Sequence, residues 1–183
     1  DENAEVNVSR VVFKDISAAR DGGGVYAKFG FLSVSASTFL NITVSNAGGG
    51  IYVDDQKFSD IVNTVFEHLN AKEGAGVYVG RGSRVKLSHS LLRNCHNDAM
   101  GTFYVENNRI TQEIESTTFL SNFGAKGGGA IYSDNTKILS TNSTFISNKA
   151  GKNSDSQSES GSSVCAYSNT PGTGGAVMGV GGA

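Results

Sequence analysis

Residues 126–135 read KGGGAIYSDN: three glycines stand directly before a small residue, a β-branched residue and a tyrosine. The element returns at 21–29 (DGGGVYAKF), 47–55 (AGGGIYVDD) and 73–81 (EGAGVYVGR). A weaker copy lies at 99–107 (AMGTFYVEN), and another at 173–181 (TGGAVMGVG). The tyrosines keep time: Tyr26, Tyr52, Tyr78, Tyr104 and Tyr132 are 26, 26, 26 and 28 residues apart. So do Phe13, Phe39, Phe66, Leu92, Phe119 and Phe145, at intervals of 26, 27, 26, 27 and 26. Two independent markers in step across most of the chain identify a repeat architecture.

Helical repeats do not tolerate Gly-Gly-Gly in every unit, and no leucine-rich pattern is present. The segments between glycines are short runs of Val, Ile, Thr, Phe and Ser, with alternation at Val77/Val79 and Val85/Leu87. These are strand signals. A unit of about 26 residues fits one coil of a parallel β-helix, with three short strands and three turns, each coil pairing with the next. The expected fold is therefore all-β: a β-helix of about seven coils, a rod of ~34 Å at one strand spacing per coil. Glycine supplies the sharp corner before the third strand. Val25, Ile51, Val77, Phe103, Ile131 and Val177 then form one internal column. The Phe13-to-Phe145 series forms a second. Three residues beyond each aromatic lies a third: Ile16, Ile42, Leu69, Cys95, Asn122 and Asn148. Cys95 is read as a buried thiol acting as a small hydrophobe. Asn122 and Asn148, on adjacent coils, are read as a hydrogen-bonded asparagine ladder, because buried amides require partners.

Composition narrows the function classes. The 183 residues carry 15 basic and 17 acidic side chains, a net charge of −2, with no basic stripe of the kind phosphate backbones require; nucleic acid is set aside. One proline among 24 glycines rules out collagen. No apolar run approaches the ~18 residues of a membrane-spanning helix. The opening DENAEVNVSR has neither a basic region nor an apolar stretch, so no signal peptide is expected in it. Two cysteines, Cys95 and Cys165, make no disulfide framework. Asn7, Asn41 and Asn142 each head an Asn-x-Ser/Thr sequon, which matters in a glycosylating secretory pathway.

The beat fails once. Tyr132 to Met178 is 46 residues, and the excess falls in the polar stretch 151–173. The expected organisation is a single domain over 1–183, a fragment of a longer chain, with 151–173 extruded as an inserted polar loop. Its most polar part, Ser154, Asp155, Ser156, Gln157, Ser158 and Glu159, is the candidate recognition loop. The open ends of such a helix would stack on further coils of the same chain or on another protein chain.

Chemistry has thin support. Asp54 and Asp134 occupy equivalent positions, with Gly80 and Glu106 between them; Glu106 and Asp134, one coil apart, would stand about 5 Å from each other, the spacing of a retaining glycosidase pair. Turn-edge acids are ordinarily solvated or bonded to their own turn, so no catalytic residue is assigned. His89, Cys95 and His96 fail as metal ligands because Cys95 and His96 point to opposite faces of a strand. No cofactor or metal is expected.

TFLSNFGAKGGGAIYSDN at 118–135 and TFISNKAG at 144–151 with GGAV at 174–177 pair Phe-x-x-Asn with Gly-Gly-Ala-Ile/Val. In this the chain resembles the polymorphic membrane protein (Pmp) repeats of chlamydial autotransporters. The resemblance implies a right-handed parallel β-helix displayed outside the cell or on its surface, with adhesion to a host receptor, matrix or glycans as its usual role. Three classes follow: a non-catalytic shaft serving as adhesin or interaction scaffold, a structural module of an extracellular filament carrying sugars, and a carbohydrate-active enzyme, the last disfavoured.

Overall fold

The computed structural model describes residues 4–151 in full and residues 164–167 by their backbone. Three parallel sheets wind into one solenoid. Sheet I stacks Glu5–Ser9, Phe31–Ser35, Phe58–Val62, Val85–Ser88, Gln112–Glu115 and Ile138–Thr141. Sheet II stacks Val12–Ala18, Thr38–Val44, Val65–Glu73, Leu91–Arg93, Thr118–Leu120 and Thr144–Ile146. Past a bend it continues as His96–Met100, Phe123–Gly124 and Lys149–Ala150. Sheet III stacks Val25–Lys28, Ile51–Asp54, Val77–Val79, Phe103–Val105, Ile131–Asp134 and Val164–Tyr167. Six coils lie within the described residues, against about seven expected.

The register places every expected column. Phe13, Phe39, Phe66, Leu92, Phe119 and Phe145 stand opposite one another in turn. Their rings lie parallel, 4.7 Å apart for Phe13–Phe39, 4.9 Å for Phe39–Phe66 and 5.1 Å for Phe119–Phe145. Those distances repeat the strand spacing, so the backbone dictates the stacking. Val25, Ile51, Val77, Phe103 and Ile131 form the second column; Val177 lies outside the described residues. Phe39, Phe66, Leu92 and Phe119 have no exposed surface, whereas Phe13 and Phe145, on the outermost described coils, are half-buried.

Each coil turns through left-handed corners that also form columns. Between sheets I and II stand Arg10, Ala36, Asn63, His89, Ser116 and Asn142, with φ from 46° to 57°. At the bend in sheet II stand Asp15, Asn41, His68, Asn94, Ser121 and Ser147, with φ from 52° to 56°. Polar residues dominate because short polar side chains tolerate this region best. The corner before sheet III differs. Gly48 has φ 68°, and a Cβ there would lie 2.7 Å from the Cβ of Tyr52. Its neighbour Gly49 lets the coils close up: a Cβ would sit 2.4 Å from the backbone oxygen of Ala75 on the next coil. The glycine run is thus a corner and a close approach in one.

The expectation for 151–173 is corrected in part. Val164–Tyr167 is a strand in register with Ile131–Asp134, and Val164 stands opposite Ile131. The physical reason is local: Val-Cys-Ala-Tyr has the apolar, β-forming character of the other third strands, and it satisfies the edge groups of Ile131–Asp134. The stretch is therefore not one continuous polar loop. Ser154, Asp155, Ser156, Gln157, Ser158 and Glu159 lie outside the described residues.

Two substitutions measure these terms. Phe66→Ala is expected to destabilise by about 3–5 kcal/mol, the cost of a truncated core aromatic. Gly49→Ala is expected to cost about 1–3 kcal/mol through overpacking against backbone. Ser33→Ala, on the outer face, is expected to stay within about 0.5 kcal/mol. Urea unfolding of the three variants checks the order; a neutral Gly49→Ala would refute the close-approach account.

Candidate functional surface

The interior polar groups come first, because they decide what is left for the outside. The Asn122 side chain accepts from the Cys95 N–H at 3.1 Å and donates to the Leu92 carbonyl at 2.9 Å. Asn148 repeats this one coil on, accepting from the Asn122 N–H at 3.0 Å and donating to the Phe119 carbonyl at 2.8 Å. The two amides also meet each other at 2.9 Å. Each asparagine therefore closes the bend of the preceding coil. The third column shifts from Ile and Leu to Asn in exchange for these bonds. Cys95 sits between the two regimes. It is buried, with its thiol pKa pushed up to about 12 by desolvation.

A second ladder escapes the sequence reading. Ser37, Thr64, Ser90, Thr117 and Ser143 each precede a Phe13-series residue by two positions. Every hydroxyl donates to the carbonyl two residues before it. Ser37, Ser90, Thr117 and Ser143 also accept from an N–H of the coil before, as Ser37 does from Val11 and Ser90 from Thr64. The signal was present as Ser/Thr-x-Phe/Leu on the same beat. It was hidden because Ser and Thr are common throughout the chain.

The period-marking tyrosines lie on the outer face of sheet III, opposite in sense to the column beside them. Tyr26, Tyr52, Tyr78, Tyr104 and Tyr132 stack as parallel rings 4.7 to 5.4 Å apart. Tyr78 and Tyr104 are buried in this outer stack, together with Ala47 and flanked by Met100. Burial pushes the phenols of Tyr52, Tyr78 and Tyr104 well above their ordinary range. At Tyr78 the hydrogen bond to Glu106 adds to it. Burial likewise holds Glu73 above the usual carboxylate range.

Two of the acidic positions, Glu106 and Asp54, are engaged with neighbours. Glu106 accepts from Tyr78 Oη at 2.5 Å and lies 3.6 Å from Arg81. Asp54 pairs with Lys28 at 3.0 Å. Asp134 stands one coil from Glu106 on sheet III, with its Oδ1 buried and without a hydrogen-bond partner. His96 is exposed, stacks on Phe123 and faces Asp98 at 3.3 Å, while Cys95 points inward. His89 is a corner residue. Among the described residues no group of three or more potential ligands could hold a metal ion, and no helix is long and apolar enough to cross a membrane. The sequon asparagines Asn7, Asn41 and Asn142 are all exposed. Asn41 and Asn142 occupy left-handed corners, and Asn41 donates to Asp15 at 3.1 Å.

Comparison with known proteins agrees with this architecture. Residues 2–112 match the family model for the right handed beta helix region. Residues 116–134 match the Chlamydia polymorphic membrane protein repeat, over the same Phe-x-x-Asn and Gly-Gly-Ala-Ile stretch that carried the resemblance. None of the curated proteins compared with the chain matches it.

Two titrations follow. Unfolded tyrosine ionises near pH ~10. The folded pKa of Tyr52, Tyr78 and Tyr104 is raised above that, so their contribution to stability is complete below pH ~10 and is lost as pH rises beyond it. Phenolate absorbance should show Tyr52, Tyr78 and Tyr104 silent until alkaline unfolding; ordinary midpoints for these three in the folded protein would refute the buried stack. Cys95 should resist iodoacetamide at pH 8 in the folded chain and react once urea is added, as read by peptide mass spectrometry.

Proposed function

Because the chain belongs to the right-handed β-helix family, we propose that it is a non-catalytic shaft displayed on the cell surface or outside the cell, acting as an adhesin or interaction scaffold. One observation carries the reading: on sheet I the inner columns pack the core, while the outer columns differ from coil to coil. On sheet I the outer positions run Phe31, Phe58, Arg84 in one column and Ser33, Asp60, Lys86, Glu113 in the next. None of these belongs to the core cluster, so this face can vary while the inner columns stay fixed. The similarity of residues 116–134 to a Pmp repeat supports placement at a cell surface. Its partners would be a host receptor, matrix or glycans.

Beads coated with the folded chain should attach to cultured host cells or matrix well above albumin-coated beads. Neutralising a surface pair together, Arg84→Gln with Glu113→Gln on the outer face of sheet I, should change attachment while shifting stability by no more than about 1 kcal/mol. Attachment equal to that of the urea-denatured chain would refute the reading.

A second reading, a glycosylated module of an extracellular filament stacking end to end, is favoured by one feature: all three sequon asparagines are exposed. Mass spectrometry of material from the native source decides it. Glycans on Asn7, Asn41 or Asn142, together with long periodic filaments under the electron microscope, would support it. Bare asparagines on isolated short rods would overturn it.

A further inference from the structure

One outer column of sheet III keeps a single residue type where its neighbour does not. Tyr26, Tyr52, Tyr78, Tyr104 and Tyr132 stand opposite one another in turn. Two positions on, the same face reads Lys28, Asp54, Gly80, Glu106 and Asp134. Packing alone asks only for a flat ring, and phenylalanine stacks as well at this spacing, as Phe39 and Phe66 do. Tyrosine adds a phenol, which can give up an electron if its proton has somewhere to go.

The column supplies both a path and a proton acceptor. Consecutive ring centres lie 4.9, 4.7, 5.1 and 5.4 Å apart, with planes within 16° of parallel. Neighbouring π-systems are therefore in contact from Tyr26 to Tyr132. Exposure falls along the path: Tyr26 is 55% exposed, Tyr52 is partly covered, and Tyr78 and Tyr104 are buried. At Tyr78 the phenol donates to Glu106 Oε2 at 2.5 Å, a short charge-assisted bond. A base at hydrogen-bond distance takes a proton directly. Arg81 lies 3.6 Å from the other oxygen, Oε1, and leaves the accepting oxygen to the phenol.

We infer that the tyrosine stack is a one-electron relay, which receives the attack of a soluble outer-sphere oxidant at Tyr26 and settles the oxidation on Tyr78, whose proton passes to Glu106. The oxidant removes one electron from Tyr26, and the phenolic proton leaves to solvent. An electron then moves from Tyr78 through Tyr52 to the Tyr26 radical, which takes a proton back from solvent. In the same step the Tyr78 proton crosses to Glu106 Oε2. The products are the reduced oxidant, a neutral Tyr78 phenoxyl radical and a protonated Glu106. The direction follows from the bases: Tyr26 gives its proton to water, a weak base, whereas Tyr78 already holds a carboxylate. Burial completes the device. A radical on the exposed Tyr26 ring can couple to that of a second chain, while one on the buried Tyr78 ring cannot. The relay goes beyond the scaffold reading and does not depend on it.

Flash-generated tris(bipyridyl)ruthenium(III) tests it on the folded chain, with two readouts. One is the tyrosyl radical seen by electron paramagnetic resonance after freeze-quenching. The other is the yield of Tyr26–Tyr26 dityrosine dimers, read by peptide mass spectrometry. The native chain should show a persistent radical and few dimers. Tyr52→Phe keeps the ring stack and breaks the path; Tyr78→Phe removes the terminus. Each should raise the dimer yield severalfold and shorten the radical lifetime severalfold. Glu106→Gln keeps an acceptor oxygen but not a base, and should do the same. Tyr132→Phe, beyond the terminus, should change neither readout. Tyr52 lies away from the Tyr78–Glu106 bond, so Tyr52→Phe carries the test even if Glu106→Gln perturbs the fold. The relay is overturned if the native chain forms dimers as readily as Tyr78→Phe, if Glu106→Gln behaves as the native chain, or if Tyr132→Phe acts as Tyr52→Phe does. Variants that shift the unfolding midpoint and leave the dimer yield unchanged would make the stack purely structural, which also overturns it.

Discussion

The hydrogen bond between one coil and the next governs this molecule. It is made in parallel register along all three sheets and through the corners, as in Gly48 N–H to the Glu73 carbonyl and Asn63 N–H to that of Ser88. It fixes the coil spacing at the interstrand distance, and so each side chain lies directly over its counterpart. Each position must therefore be filled by something that tolerates its own kind above and below. Aromatic rings do, because parallel planes fit the spacing. Amides and hydroxyls do, because each can donate and accept. Charges do not, since like charges in register repel. The outer columns accordingly pair opposite signs across coils: Arg93 with Glu67 and Arg84 with Glu113, both at 2.7 Å, and Lys86 with Glu115 at 3.3 Å.

The same rule explains how much could be read from the chain before its structure. Columns are periodic by construction, so the Phe13 and Tyr26 series, the three-strand coil and the Cys95 and Asn122 positions were all legible from spacing. Residue type was a weaker guide. Val164 follows a serine-rich stretch with no Gly-Gly-Ala motif before it, so nothing in its local sequence marked it as a third strand. Pairing instead set Val164 against Ile131. A third strand can thus form without the glycine motif, where an apolar, β-forming run meets the open edge.

The outer surface was harder to read for a different reason. Tyrosine marked the period without revealing its face, and the ring stack joining Tyr26 to Tyr132 followed only from the alternation within sheet III. The left-handed corners were hidden more completely. Glycine advertises one of them, but Arg10, Ala36 and Phe29 carry no signature of positive φ, since the demand comes from the coil and not from the residue.

The direction of the intercoil bonds has a mechanical consequence. They run along the rod axis, so tension applied at the two ends loads the bonds of an end coil in opening mode, one after another. Tension applied across the rod shears a whole sheet at once. A shaft pulled lengthwise should therefore unpeel coil by coil. Each event would release one repeat of about 26 residues, up to ~90 Å of extended chain. Such a rod would lengthen in steps under load and rewind on the template of the coil beneath.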